Sequence, residues 1–414
     1  MMKYKFAKKI CTAALAAIVA DTAFADENER ILALEKQLKK VRAEVDTLNG
    51  EFSDLYTNTP KEQKLTLGGY GEIHANFVEG GDDMIDIHRL VMYVGYDFTD
   101  WIKLTSEVEL EHAYVSSSSG GEISIEQLYI DFMLADSVNI RAGRVLAPMG
   151  IINQKHEPTL FYGVERPNVD KYIIPTTWSL DGAGLFGYPL SWLSYELYAA
   201  AGLDGSGFSA KEGIRGGRIK ERQGLNDPAL TGRMDFYPFV DADLPADQAL
   251  RLGVSGYYGG TDNQNKGGSI GTNNAFTMLS TDFEYDISRL HLRGVIALGE
   301  NSHADQLAAG VGEQIFGWYL EGGVSIMPDG WKNGKLKEAD LIPFVRLEEY
   351  DTQYKMPDGT TATGEYNRNE ITIGANFLLT PNFVVKMDCQ FQTLENNRSD
   401  INTRYNCGLG WVFK

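Results

Sequence analysis

The segment FVVKMDCQFQ, residues 383–392, puts Phe383, Val385, Met387, Cys389 and Phe391 on one parity and Lys386, Asp388, Gln390 and Gln392 on the other. Successive side chains of a β-strand point to opposite faces, so this is a strand with one apolar and one polar face. The same alternation recurs from Leu65 to the end of the chain. Strand candidates are 65–77, 86–98, 102–112, 123–133, 137–145, 181–188, 192–201, 229–237, 250–258, 276–286, 289–298, 315–326, 341–350, 369–378, 383–392 and 402–413. They make about sixteen, an even number and of the length that outer-membrane barrels use. No helix is expected beyond Leu65.

The connections alternate in length. Residues 99–101, 134–137, 188–191, 286–289 and 379–382 are tight, whereas 146–180, 202–228, 259–275, 299–314 and 351–368 are long. Bacterial barrels have short periplasmic turns and long outer loops, which matches this rhythm. Two connections on the short side, 238–249 and 327–340, are longer than that rule wants. A soluble sandwich can also alternate, but something would have to cover its second apolar faces. In a closed barrel lipid covers them, and closure pairs the backbone polar groups. The expected fold is therefore all-β, a transmembrane antiparallel barrel with apolar side chains outside and polar ones inside.

Parity then places Arg89, Lys103, Arg141, Arg233, Arg251, Arg293, Arg346, Lys386 and Arg404 inward, and with them Glu72, Glu107, Glu109, Glu111, Asp131, Asp235, Asp282, Glu284, Glu321, Glu348 and Asp388. The lumen is expected to be of mixed charge. The formal net charge is −19. Such a balance argues against a nucleic-acid partner, since phosphate neutralisation needs a basic surface.

The N-terminus reads as an export signal: Lys3, Lys5, Lys8 and Lys9, then the apolar run 10–20, then Ala23-Phe24-Ala25. Residues 1–25 are the expected signal peptide. In residues 26–57, Ile31, Leu34, Leu38, Val41, Val45, Leu48, Phe52 and Leu55 are spaced 3, 4, 3, 4, 3, 4, 3. That is the heptad of a coiled coil, so an oligomer is expected; a lone amphipathic helix packed on the domain is the alternative. Residues 58–64 form the linker and 65–414 the barrel. With the N-terminus in the periplasm, the coiled coil lies there too.

Three stretches resemble the phosphate-selective porin O and P family: GGYGEIHANF (68–77), VNIRAGRVLAPMG (138–150) and WSLDGAGLFG (178–187). The resemblance implies a trimeric outer-membrane porin for passive diffusion of small hydrophilic solutes, with small anions such as phosphate or carboxylates as candidates. It also implies that the counterpart of the family's third loop, here the longest connection, 146–180, folds inward as a constriction. Phe161, Tyr162, Tyr172, Ile173, Ile174 and Trp178 suit such packing. Candidate pore-lining residues are Arg141, Arg144, Lys155, Arg166, Lys171, Glu107, Glu109, Arg233 and Arg251. A basic run in the next connection, Lys211, Arg215, Arg218, Lys220 and Arg222, either folds in to attract anions or faces solvent. Phe413, one residue from the end, is the expected C-terminal aromatic of the last strand.

Cys389 and Cys407 share the apolar parity; a hairpin centred on Arg398 would set them opposite one another, as a disulfide or as two lipid-facing thiols. None of His74, His88, His112, His156, His291 and His303 shows close metal-ligand spacing, so neither metal nor cofactor is expected. Two other functions stay open: a barrel-anchored envelope tether acting through the coiled coil, and a barrel hydrolase using His74 or His291 near acids and serines.

Overall fold

A computed structural model describes residues 64–413 apart from 117, 119, 241–247 and 265–266. The expected signal peptide, coiled coil and linker up to residue 63 lie outside the described residues. The strands are β1 (Leu65–Val78), β2 (Met84–Asp97), β3 (Ile102–Glu111), β4 (Ile123–Ala135), β5 (Val138–Leu146) and β6 (Ser179–Leu190). They continue as β7 (Leu193–Ala201), β8 (Pro228–Phe236), β9 (Gln248–Gly260), β10 (Ala275–Ile287) and β11 (Leu290–Asn301). The last five are β12 (Gln314–Val324), β13 (Asp340–Lys355), β14 (Asn367–Thr380), β15 (Phe383–Leu394) and β16 (Asn397–Phe413).

Each strand pairs antiparallel with its sequence neighbours, and β1 pairs with β16 to close the barrel. Closure leaves no sheet edge, which is the condition for a sheet to cross a bilayer. Phe413 stands opposite Gly69 in the closing seam.

The parity rule holds around the wall. On β15, Met387 is 58% exposed while its neighbour Lys386 is 2% exposed. Ile371 and Ile373 on β14, and Tyr405 and Leu409 on β16, likewise face outward. Phe98, Trp101, Tyr188 and Trp192 are exposed at the short-turn end, where an amphipathic ring suits the membrane–water boundary.

Three expectations need correction. The long connection 147–178 contains one helical turn, α1 (Val169–Tyr172), although no helix was expected past Leu65. The barrel interior is not lined by polar groups alone. Tyr257, Phe276, Met278, Tyr319 and Tyr350, on β9 to β13, form a buried apolar cluster with Met149, Ile152, Ile173, Ile174 and Trp178 of that connection. Trp178 lies 4.7 Å from Tyr257, centroid to centroid. Burying each such side chain is worth about 2 kcal/mol, so this half of the lumen is a packed core.

The third correction concerns the cysteines. Cys389 stands opposite Tyr405, and Cys407 opposite Met387. The ladder tightens between Leu394 and Asn397, and the extra residues are absorbed on β16 by an irregularity at Thr393/Leu394. That moves the register by two residues from a hairpin centred on Arg398. Both cysteines are free and on the outer face.

This register makes a testable distinction. Mature protein should show two free thiols, Cys389 and Cys407. M387C in a C389A background should cross-link to Cys407 on mild oxidation, because directly opposed residues fall within disulfide reach. A native Cys389–Cys407 bridge in the mass spectrum, or no cross-link in the variant, would refute the register.

Candidate functional site: a cavity beside an in-folded loop

The connection 147–178 turns into the barrel at Gly150, whose φ is +64°. A Cβ there would lie 2.9 Å from Ile174 Cδ1, so a side chain would be strained by backbone and by contact. The inward-facing charges of the strands then hold the loop backbone. Arg233 donates to the Gly150 carbonyl at 2.8 Å and Arg89 to that of His156 at 2.7 Å. Lys386 donates to the carbonyls of Phe161 and Gly163, both at 2.8 Å. Asp388 accepts from Val164 N–H at 2.6 Å, and Glu348 accepts from the N–H groups of Asn168 and Val169 at the start of α1. Loop groups that would otherwise be unpaired in the lumen thus receive charged partners, which are stronger than neutral ones.

These strand charges also compensate one another. Arg233 and Arg251 share Asp235 and Asp282, and Arg251 also reaches Glu284. Arg346 lies between Glu321 and Glu348. His156 bonds to both Glu107 and Glu126, and Glu107 also accepts from Tyr70 and Gln127.

With the loop packed against β9 to β13, a cavity of about 400 Å³ remains against the other wall. Its lining comes from β1 to β6, β15 and β16, the in-folded loop, and the following connection 202–227. Glu72, Glu109, Glu111, Glu122 and Glu126 line it, as do Arg144, Arg166, Lys171, Arg215, Arg218, Lys220 and Arg404. An adjoining cavity of about 260 Å³ shares Asn168, Lys171 and Arg404 and adds Lys211, Tyr366 and Arg368.

Compensation is unequal within this lining. Glu72 pairs with Arg89 and His74, Glu122 with Lys220, Glu126 with His156, and Glu165 with His74. Glu109 lies 3.7 Å from Arg89. Among the described residues, Glu111 has no base at ion-pair distance. By the same measure Arg166, Lys171, Arg218, Arg368 and Arg404 have no carboxylate. Arg218 donates only to the carbonyls of Arg215 and Thr177. Burial, and then the neighbouring Arg215, pull its pKa below the usual guanidinium value, as expected for a cation held without a counter-ion. Arg368 stacks on the rings of Tyr172, Tyr350 and Tyr366.

The candidate pore-lining residues therefore divide. Arg144, Arg166, Lys171 and Glu109 line the cavity, and from the basic run so do Arg215, Arg218 and Lys220, with Lys211 in the adjoining one. Arg141 does not. It pairs with Asp131 at 2.7 Å near the short-turn end, between Tyr129 and Phe186. Arg233, Arg251 and Glu107 are buried in the ion-pair clusters just described; Arg233 and Glu107 bond to the loop, and Arg251 to strand carboxylates alone. Lys155 bonds to Glu284 at 3.1 Å outside the cavity lining, and Arg222 is exposed. Sequence reasoning missed Glu111, Arg368 and Arg404 as site residues, although parity had placed Glu111 and Arg404 inward.

Close metal-ligand spacing was not legible in the sequence, yet the fold brings Asp86, His88 and His112 together, and separately Glu107, Glu126 and His156. His291 also sits between Asp286 at 2.6 Å and Ser325 at 3.2 Å. That chain has the order of a hydrolase triad. However, the N–H groups of Ser325 and Ile326 are already bonded to the carbonyls of Arg289 and Leu341, so neither is offered to an oxyanion. The triad lies at the short-turn end, away from the cavity.

Comparison with known proteins places this geometry. The sequence profile of the family "Phosphate-selective porin O and P" matches residues 69–281. A protein of Aquifex aeolicus (strain VF5), described as uncharacterized, is 28% identical over 370 residues, which cover 84% of this chain and 80% of that one. Among solved structures, the outer membrane channel DcaP of Acinetobacter baumannii aligns with a TM-score of 0.52 at 12% identity over 84% of this chain and 97% of its own. The outer-membrane expressed OmpT of Vibrio cholerae gives 0.52 at 9%, covering 85% and 99%. Salmonella typhi OmpF in complex with daunomycin gives 0.51 at 10%, covering 84% and 97%. At such identities the structural likeness establishes the fold.

Two consequences of the loop's seating can be measured. Replacing Lys386 by Met leaves the Phe161 and Gly163 carbonyls without their charged donor and should cost about 3 kcal/mol. Limited proteolysis should then cut within 147–178 while circular dichroism keeps its β signature; an uncut loop would contradict the anchoring role. Asp170 of α1 is buried, and neither carboxylate oxygen has a hydrogen-bond partner among the described residues. Burial, with Asp282 adding to it, pushes its carboxyl up to about 8. The folded state then keeps a proton that the unfolded chain releases near pH 4, so stability falls as pH rises from about 4 to about 8 and levels above that. D170N should flatten this slope in thermal unfolding; an unchanged slope would exclude Asp170 as its source.

Proposed function

The chain belongs to the phosphate-selective porin O and P family and is an outer-membrane porin; on that premise we propose that its channel favours small anions of phosphate or carboxylate size. The observation that carries this reading is the unequal compensation in the cavity. Arg166, Lys171, Arg218 and Arg404 face it without carboxylate partners, and Lys211 and Arg368 stand in the adjoining space. The carboxylates of the same lining, Glu111 and buried Asp170 apart, are each within reach of a base. An acidic chain thus carries a locally positive path. Fixed cations raise the concentration of anions at the entrance and lower the barrier inside.

Passage needs binding that is weak and spread over several sites. Several separate cations in a lining that also holds Glu109 and Glu111 meet that need better than one tight site would. The reading therefore covers small anions generally and is not restricted to phosphate. Solutes would enter from the long-loop end, which faces outward in bacterial barrels, and diffuse toward the periplasm.

The further organisation is part of the same proposal. Residues 1–25 are removed on export. Residues 26–57 form a coiled coil on the periplasmic side, joined by linker 58–64 to barrel 65–414. Three copies assemble, with the heptads as a three-stranded clamp.

Planar-bilayer recordings across a salt gradient test the selectivity. The wild-type channel should reverse at a potential of the anion-selective sign. A K171Q/R218Q/R404Q variant should lose anion preference by at least about threefold, because one charge at close range in a wet site is worth about 1 kcal/mol. Cation preference in the wild type, or an unchanged ratio in the variant, would overturn the proposal.

A further inference from the structure

One group of side chains around the cavity is not used by anion passage. β1 and β2 change register between Glu72 and His74: Glu72 faces Arg89, but His74 faces Asp86. β2 therefore carries one extra residue there, a β-bulge. A bulge re-aims a side chain. In a regular strand His88 would point opposite to Arg89 and into lipid. Here it points into the lumen, where it lines the cavity, while Ile87 is the exposed one. Just beyond the end of β3, His112 and Ala113 have φ of 54° and 56°. Two successive non-glycine residues in the left-handed region are uncommon. The turn is tied back by His112 N–H donating to the His88 carbonyl at 3.1 Å.

Both devices bring imidazoles onto one carboxylate. Asp86 Oδ2 lies 3.1 Å from His88 Nδ1 and 2.8 Å from His112 Nδ1. One oxygen from Asp86 and one nitrogen from each ring all fall within 4.8 Å of each other. Zinc bonds nitrogen and oxygen donors at about 2.0–2.1 Å, and tetrahedral geometry then sets the donors about 3.3 Å apart. The two separations from Asp86 need only a small expansion to reach that. His74 completes the arrangement without being a ligand. Both its ring nitrogens are engaged, by Glu72 and Glu165 at 3.2 Å each, and its ring stacks on His88 at 4.4 Å. It fixes the plane of the ligating ring, as outer residues of metal sites do.

We propose that Asp86, His88 and His112 form a binding site for a divalent transition-metal ion of the zinc class at the outer mouth of the cavity. Three protein donors leave a fourth position for water or a passing anion, the pattern of an open zinc site. Imidazole-rich donors select zinc-class ions over calcium and magnesium, which take oxygen. The second His-carboxylate group, Glu107, Glu126 and His156, differs in being fully buried, with His156 Nδ1 beside the Asn153 carbonyl and Nε2 spent on both acids. It is an ion-pair cluster under the loop.

The binding claim stands apart from the channel reading, since a site can fill in a barrel that does not conduct. The test is calorimetric titration of zinc chloride into the full mature chain in detergent. One saturable site per chain is expected, unaffected by a tenfold excess of calcium. H88A and H112A should each weaken it by more than about a hundredfold, because even an outer-shell loss costs 10–100-fold. H303A, at a distant loop, should leave it unchanged. His112 lies outside the strands, so H112A is the variant least able to disturb folding, and an unaltered circular dichroism spectrum checks this. Absence of saturable binding, binding that survives H112A with the fold intact, or binding lost in E126Q instead, would overturn the proposal.

Discussion

The contact between strand-borne charges and the backbone of the connection 147–178 decides the rest of the structure. A barrel of this size closes its backbone hydrogen bonds at the wall, but an irregular loop inside it has carbonyls and N–H groups with no ladder to join. Arg89, Arg233, Lys386, Asp388 and Glu348 supply those partners from four different strands. Apolar packing of Ile173, Ile174 and Trp178 on β9 to β13 supplies the matching non-polar half. Either term alone would leave the loop mobile or its polar groups unsatisfied; together they fill one side of the lumen and confine the open space to the other.

From that asymmetry follows the electrostatic one. Charges that grip the loop are spent, since each buried arginine faces two or more carboxylates or carbonyls. Charges that face the remaining cavity come largely from the loops and from β16, and Arg166, Lys171, Arg218 and Arg404 among them have no acid at ion-pair distance. Net charge is therefore a poor guide to what such a channel passes. The chain carries −19 overall, yet the groups left without partners along the cavity are mostly positive.

Alternation alone carried much of this to the reader of the sequence. FVVKMDCQFQ and its counterparts define wall, faces and strand number, and the alternating connection lengths define the two ends. What parity cannot report is what covers an inward side chain. Arg233 and Arg404 look alike in the sequence; one is sealed under the loop and the other meets solvent, and only tertiary packing separates them. Register is the second gap. The two-residue shift that parts Cys389 from Cys407, and the single extra residue that turns His88 inward, depend on where the ladder breaks, and local composition does not mark either place. The apolar interior was foreshadowed by the aromatic content of the loop, but its partners on β9 to β13 lie on faces that the pattern assigns to polar residues.

The central claim is that the water path runs along one side of the loop and not the other. Cysteine accessibility in the reconstituted channel addresses it directly, in a background where Cys389 and Cys407 are replaced by Ser. K171C stands in the cavity, and S280C on β10 stands buried behind the loop. A charged methanethiosulfonate reagent should modify K171C quickly and change the current, while S280C stays unreacted. Equal reaction at both positions would mean that the loop does not seal its side of the lumen, and the account of the site would fail with it.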